Sequence, residues 1–164
     1  MSNKEPLNQK KIEAANKFQD IVYEYFAKEW GWNLVHHTSL ENQFEKGENA
    51  QGIEIKHDQK FESGKSKNVY ISVKRTYPYK EEIPSGIMKE HNKRFFVIGG
   101  KHKFYIFALK DLRNYYLNEN PYMTDGFKSK GGGQEWGFLL NEKQCAELAF
   151  EIFDTQLAIF NESN

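Results

Sequence analysis

Apolar residues recur along this chain with two different periods. In "EAANKFQDIVYEYFAKEWGW" the residues Phe18, Ile21, Val22, Tyr25 and Phe26 fall at helical spacing, which predicts a first helix with Gly31 placed to end it. Beyond it the period shortens to two. "WNLVHHTSL" reads as a strand, and "ENQFEKGENAQ" as a polar, turn-rich connection. "GIEIKHD" then alternates, Ile53 and Ile55 to one side and Glu54, Lys56 and Asp58 to the other. "ESGKSKN" has the composition of a turn, and "VYISVKRTY" alternates again, Val69, Ile71 and Val73 against Tyr70, Ser72 and Lys74. The two alternating runs are expected to pair as a hairpin with their apolar faces inward.

Further along, Pro78 and Pro84 bracket an expected loop, "SGIMKEHNK" a short helix, and "RFFVIGG" an apolar strand. "KFYIFALKDLRNYYL" reads as a strand running into a helix. The triple glycine of residues 131–133 marks a flexible loop. It is a poor phosphate cradle, because no strand ends into it and no Gly-Lys-Ser/Thr follows. "GFLLNEKQCAELAFEIFDTQLAIF" is expected to close the chain as a helix with Leu148, Ile152, Phe153 and Leu157 on one stripe. The predicted order is helix, three strands, short helix, two strands, helix. That is an α/β fold, a three-layer sandwich around a central mixed sheet. At 164 residues the chain is expected to form one domain, with a core over about 12–115 and a C-terminal loop and helix over 116–164.

Composition adds a polar surface around an aromatic core, with 15% Phe, Trp and Tyr, 28% charged residues and a mean hydropathy of -0.81. The sequence has no apolar run of about 18 residues and no apolar segment near its first residue, so neither a membrane span nor a secretory signal is expected and the cytoplasm is the expected location. The single cysteine, Cys145, cannot form an internal disulfide and is expected as a buried thiol. Net charge is zero, which argues against holding nucleic acid by bulk attraction, but its distribution is uneven. Residues 56–103 hold 12 Lys and Arg against 5 Asp and Glu, while the flanking thirds are both acidic.

That basic third contains most of the alternating pair of runs. A hairpin there would bring Glu54, Lys56, Asp58, Ser72 and Lys74 onto one face, with cross-strand neighbours about 5 Å apart. Hydrolysis of a phosphodiester uses these residue types: hard oxygen ligands for Mg²⁺, a water made nucleophilic beside the ion, and a cation to stabilise charge on the phosphate. His36 and His37 are adjacent in an expected strand and so point to opposite faces, which is wrong for joint metal binding. Lys74, Arg75, Tyr77, Tyr79 and Lys80 interleave bases with aromatics, a composition suited to phosphates and unstacked bases, and Lys93 and Arg94 add positive charge nearby.

"GIE" followed by "VYISVK" resembles the core of the restriction-endonuclease-like superfamily, written PD-(D/E)XK, in which an acid on one strand is followed by acid-x-lysine on the next. The resemblance covers roughly residues 12–115. It implies that Glu54 is the first acid and Lys74 the lysine, with Glu24 of the first helix as a further acid, Mg²⁺ or Mn²⁺ as the cofactor and DNA as the substrate. The sequence departs from the pattern at Ser72, which stands at the second acidic position and brings no charge to a metal. Either Asp58 or Glu24 supplies the missing carboxylate, or Glu54-Ile55-Lys56 is itself the acid-x-lysine element, preceded by Glu41, Glu45 or Glu48, or catalysis has been lost. The expected function is therefore a Mg²⁺-dependent DNA endonuclease of restriction or repair type. The alternative is an inactive relative that binds DNA or assembles with proteins. A homodimer is expected only under the first, since cutting both strands at one site calls for two active centres.

Overall fold

A computed structural model describes residues 5–37, 39, 49–78, 80–128 and 132–157, the side chains of residues 5–8, 80 and 127 excepted. Helix α1 runs over Glu5–Trp30 and buries Phe18, Val22 and Phe26, which recur every four residues. Gly31 follows with φ of 67°, a left-handed conformation that ends the helix as expected.

The strands form two four-stranded sheets. The first is mixed, in the order β1 (Glu54–His57), β4 (Phe95–Gly100), β5 (Lys103–Ala108), β8 (Glu151–Asp154), with β1 parallel to β4 and the other pairs antiparallel. The second is antiparallel throughout, in the order β3 (Lys80–Pro84), β2 (Val69–Tyr77), β7 (Gln134–Leu140), β6 (Thr124–Lys128).

Alternation along the mixed sheet assigns its two faces. Ile53, Ile55, Val97, Phe104 and Ile106 pack on Phe18, Val22 and Phe26 of α1. Phe96, Ile98, Tyr105 and Phe107 turn the other way, against Val69, Ile71, Val73, Phe138 and Leu140 of the second sheet. Helices α3 (Leu109–Glu119) and α4 (Glu142–Leu148) add Leu109, Leu112 and Cys145 to that inter-sheet core. The fold is α/β, with a mixed sheet between a long helix and a second sheet. Cys145 is buried, as expected, and burial pushes its thiol up to about 12.

Several expectations are corrected. β1 and β2 do not form a hairpin, and they lie in different sheets. Asp58 is the reason: it ends β1 and caps a one-turn helix, α2 (Gln59–Glu62), accepting from Phe61 N at 3.0 Å, which turns the chain away before residue 69. The expected loop between Pro78 and Pro84 contains β3, and the segment after Pro84 is a single 3₁₀ turn, Gly86–Met88. The expected closing helix is strand, helix and strand in turn. Asn141 and Gln144 form a reciprocal cap that starts α4 inside it, and β8 then pairs with β5. Among its described residues, "WNLVHHTSL" holds an isolated bridge between His36 and Asn49 in place of the expected strand. Thr124–Lys128, read as loop, is strand β6.

Candidate functional site: a buried acid between two lysines on β1

Glu54 opens β1 and pairs in parallel register with Phe96, so its side chain leaves the sheet on the face turned to the second sheet. It is 2% exposed. A carboxylate buried to that degree needs partners, and three converge on it. The Asn92 side-chain amide donates to Oε2. The Lys56 ammonium, two residues along on the same face, lies 2.9 Å from Oε1, and the Lys89 ammonium lies 3.9 Å from it. Oε1 has these ionic neighbours but no hydrogen bond of regular geometry. The two lysines are 42% and 36% exposed, so each reaches from the buried acid towards solvent.

Asn92 and Lys89 arrive from the segment that begins with the 3₁₀ turn. The same Asn92 amide donates to Gly86 O at 2.9 Å. Gly86, at φ of 49°, lies flat on Ser72 of β2, and a Cβ there would overlap the Ser72 hydroxyl and carbonyl oxygens. Arg113 of α3 fastens the segment from the other side. Its guanidinium donates to the carbonyls of Ile87 at 2.7 Å, Lys89 at 3.0 Å and Asn92 at 3.0 Å. His91, within the segment, is held below its usual imidazole range by burial and by Lys89, outweighing Glu54 and Glu90.

A cleft of about 760 Å³ opens between the two sheets, lined by Lys56, Asp58, Lys60, Tyr70, Ser72 and Asp125 among others. The Tyr70 phenol is buried there without a hydrogen-bond partner. Burial, then Glu135 and Asp125, push its pKa far up.

The structure therefore groups some of the expected site residues and separates others. Glu54, Lys56 and Ser72 share the junction of β1, β2 and the Gly86 turn. Lys74 turns to β3, where its ammonium contacts the Glu82 carboxylate, and a bulge between Ser72 and Lys74 shifts the alternation on which a common face depended. Asp58 stands four residues beyond Glu54, about 13 Å along a strand, and its second oxygen accepts from Tyr70 N at 3.3 Å. It serves the backbone. Glu24 is on the exposed side of α1, which covers the opposite face of the mixed sheet from Glu54. Neither can share an ion with Glu54. Glu41, Glu45 and Glu48 lie outside the described residues.

The donor set around Glu54 does not suit Mg²⁺. Its nearest charged neighbours are two ammonium groups, Ser72 is neutral, and among the described residues no group of three His, Cys, Asp or Glu side chains is placed to hold a metal. Of the expected nucleic-acid contacts, Arg75 is 3.2 Å from Glu135 and is raised in pKa by hydrogen bonding to Tyr77, then by Glu135, so Arg75 and Tyr77 serve the second sheet. The Lys80 side chain and Tyr79 lie outside what is described. Lys93 and Arg94 are exposed at the start of β4, both N–H groups donating to Gly52 O.

Lys89 and Asn92 were not legible in the sequence as site residues. Asn92 meets Glu54 from 38 positions away, and neither residue has a local pattern that would mark it. Comparison with family models, with curated proteins and with solved structures gives no match.

Proposed function

We propose that this chain binds DNA through the Glu54–Lys56–Lys89 junction and does not cut it. One observation carries the reading: the acid of the recognised pattern is engaged by two lysines and an amide, and neither proposed partner carboxylate can reach it. A lysine ammonium has three donors, so one that holds Glu54 can also donate to a phosphate oxygen from its exposed side. The basic balance of residues 56–103 supports an anionic partner.

The test is DNA binding measured with Mg²⁺ and with a chelator, and plasmid incubated in parallel. Equal affinity in both buffers and intact plasmid are expected. Lys56→Ala with Lys89→Ala should weaken binding about tenfold or more and lower the salt slope by about 2. Nicking that needs Mg²⁺ or Mn²⁺ and disappears in Glu54→Ala would overturn this reading.

That outcome would establish a second one, the metal-dependent endonuclease of restriction-endonuclease-like fold. It has its own observation in Glu54 and Lys56, an acid and a lysine one residue apart on one face of a strand. A restriction-endonuclease-like arrangement and a homodimer belong to that reading.

A further inference from the structure

We infer that the aromatic patch at the Arg94 end of the mixed sheet is a stacking platform for unstacked bases of single-stranded DNA, a specificity that rests on the DNA-binding reading and narrows it. Phe150 is 64% exposed and contributes to neither core cluster. Its ring sits 5.5 Å from that of Phe95 and 5.7 Å from that of Trp30, which are themselves 5.1 Å apart. Trp32 continues the row at 6.1 Å from Phe95, and the Arg94 guanidinium lies over its ring at 5.4 Å from the centroid.

The patch is rigid. The Trp30 indole N–H donates to Glu151 Oε2 at 2.8 Å, and the Tyr25 hydroxyl donates to Glu151 Oε1 at 2.6 Å. Phe150 N donates to Ile106 O at 2.8 Å. Rings held in place before a ligand arrives lose little freedom on binding.

Charge favours a base over a protein side chain as the occupant. Glu151, the acid in contact with the rings, has both oxygens engaged by Tyr25 and Trp30, whereas Arg94 is exposed and lies over the Trp32 ring. An aromatic surface bordered by a cation fits a π face joined to phosphates. The rings belong to the α1 side of the mixed sheet and Glu54 to its other side, and Asn92, which touches Glu54, stands two residues before Arg94 in the chain. Duplex DNA keeps its bases stacked and paired, so it can use the lysines but not the rings.

Intrinsic tryptophan fluorescence and anisotropy, recorded with a labelled thymidine oligonucleotide and with the same strand in a duplex, test this. The single strand is expected to quench Trp32, shown by loss of the signal in Trp32→Phe, and to bind more tightly than the duplex. Phe150→Leu keeps an apolar side chain without a ring and should weaken single-strand binding about tenfold, leaving duplex binding unchanged. Equal affinity for both forms, with no quenching and no effect of Phe150→Leu, would overturn the platform while leaving the junction reading intact. An effect of Phe150→Leu with none from Lys56→Ala and Lys89→Ala would support the platform and overturn the junction. If Phe150→Leu instead dissociates an oligomer without changing DNA binding, the patch is a protein interface and the inference fails.

Discussion

Replacing the Glu54 carboxylate by an amide removes one charge and puts an NH2 donor in place of Oε1, turning Lys56 and Lys89 away from it. Glutamine keeps an oxygen to accept from Asn92 and has nearly the same volume, while Lys56 and Lys89 lose their shared anion. Two lysines without a competing carboxylate hold a phosphate more tightly. Glu54→Gln is therefore expected to raise DNA affinity by roughly fivefold at low salt, on the order of 1 kcal/mol, an advantage that shrinks as salt is added. Binding isotherms of parent and variant at two ionic strengths check this. A metal-dependent nuclease would give the opposite sign for function, since the same change would abolish its cleavage. At this scale the sequence was informative in part: the alternation of "GIEIKHD" placed Glu54 and Lys56 together and Ile53 and Ile55 on the other side, as found. It could not tell that Asp58 would be occupied as a cap, because a cap and a metal ligand call for the same carboxylate.

Among the elements, the segment from Gly86 to Asn92 has little regular structure of its own, a single 3₁₀ turn, and depends on α3 for its shape. Arg113 supplies three charge-assisted hydrogen bonds to its carbonyls. Arg113→Gln should cost about 1–3 kcal/mol in urea unfolding, because partly buried carbonyls lose donors that a shorter amide cannot replace together. It should also weaken DNA binding by displacing Lys89. Combining it with Lys89→Ala should give no further loss of affinity, whereas combining it with Lys56→Ala should, and that pattern distinguishes positioning from general destabilisation. The element errors of the sequence reading share a cause. β3, β6 and β8 are four or five residues long, and each exists because a partner strand is present to pair with it. Local pattern carries no record of that partner. In "AELAFEIFDTQ" the spacing of Leu148, Ile152 and Phe153 suits a helix, yet pairing of Glu151–Asp154 with β5 prevails.

For the molecule as a whole, the mixed sheet lies between α1 and the second sheet, and polar contacts fasten the one-turn helix α2 to the end of the mixed sheet. Glu62 of α2 accepts from Lys101 N at 2.7 Å, at the β4–β5 turn, and lies 3.1 Å from His57 Nε2 of β1. Burial pushes the Glu62 carboxyl up, but the Lys101 N–H and the His57 hydrogen bond and charge together outweigh it, and the net value lies below the ordinary 4.5. A carboxyl lowered on folding adds stability that is present above its unfolded value and lost as pH falls through its folded one. Unfolding midpoints in urea are expected to drop below about pH 4.5, and Glu62→Gln should flatten that part of the curve. None of the described helices is long and apolar enough to cross a membrane. The broad class, α/β with a mixed sheet, was legible from the order of periodic segments. The division into two sheets was not, because it turns on one four-residue helix between β1 and β2.

The grip of Arg113 on three successive parts of one segment has a consequence for how such a surface changes over generations. Lys89 and Asn92 hang from the chain that this one guanidinium fixes, so a change at Arg113 moves them together. Whatever this surface binds, a population selected in the laboratory for an altered partner is expected to change first in α3, where one substitution re-aims several contacts at once. Changes at the lysines themselves would come later, as fine adjustment.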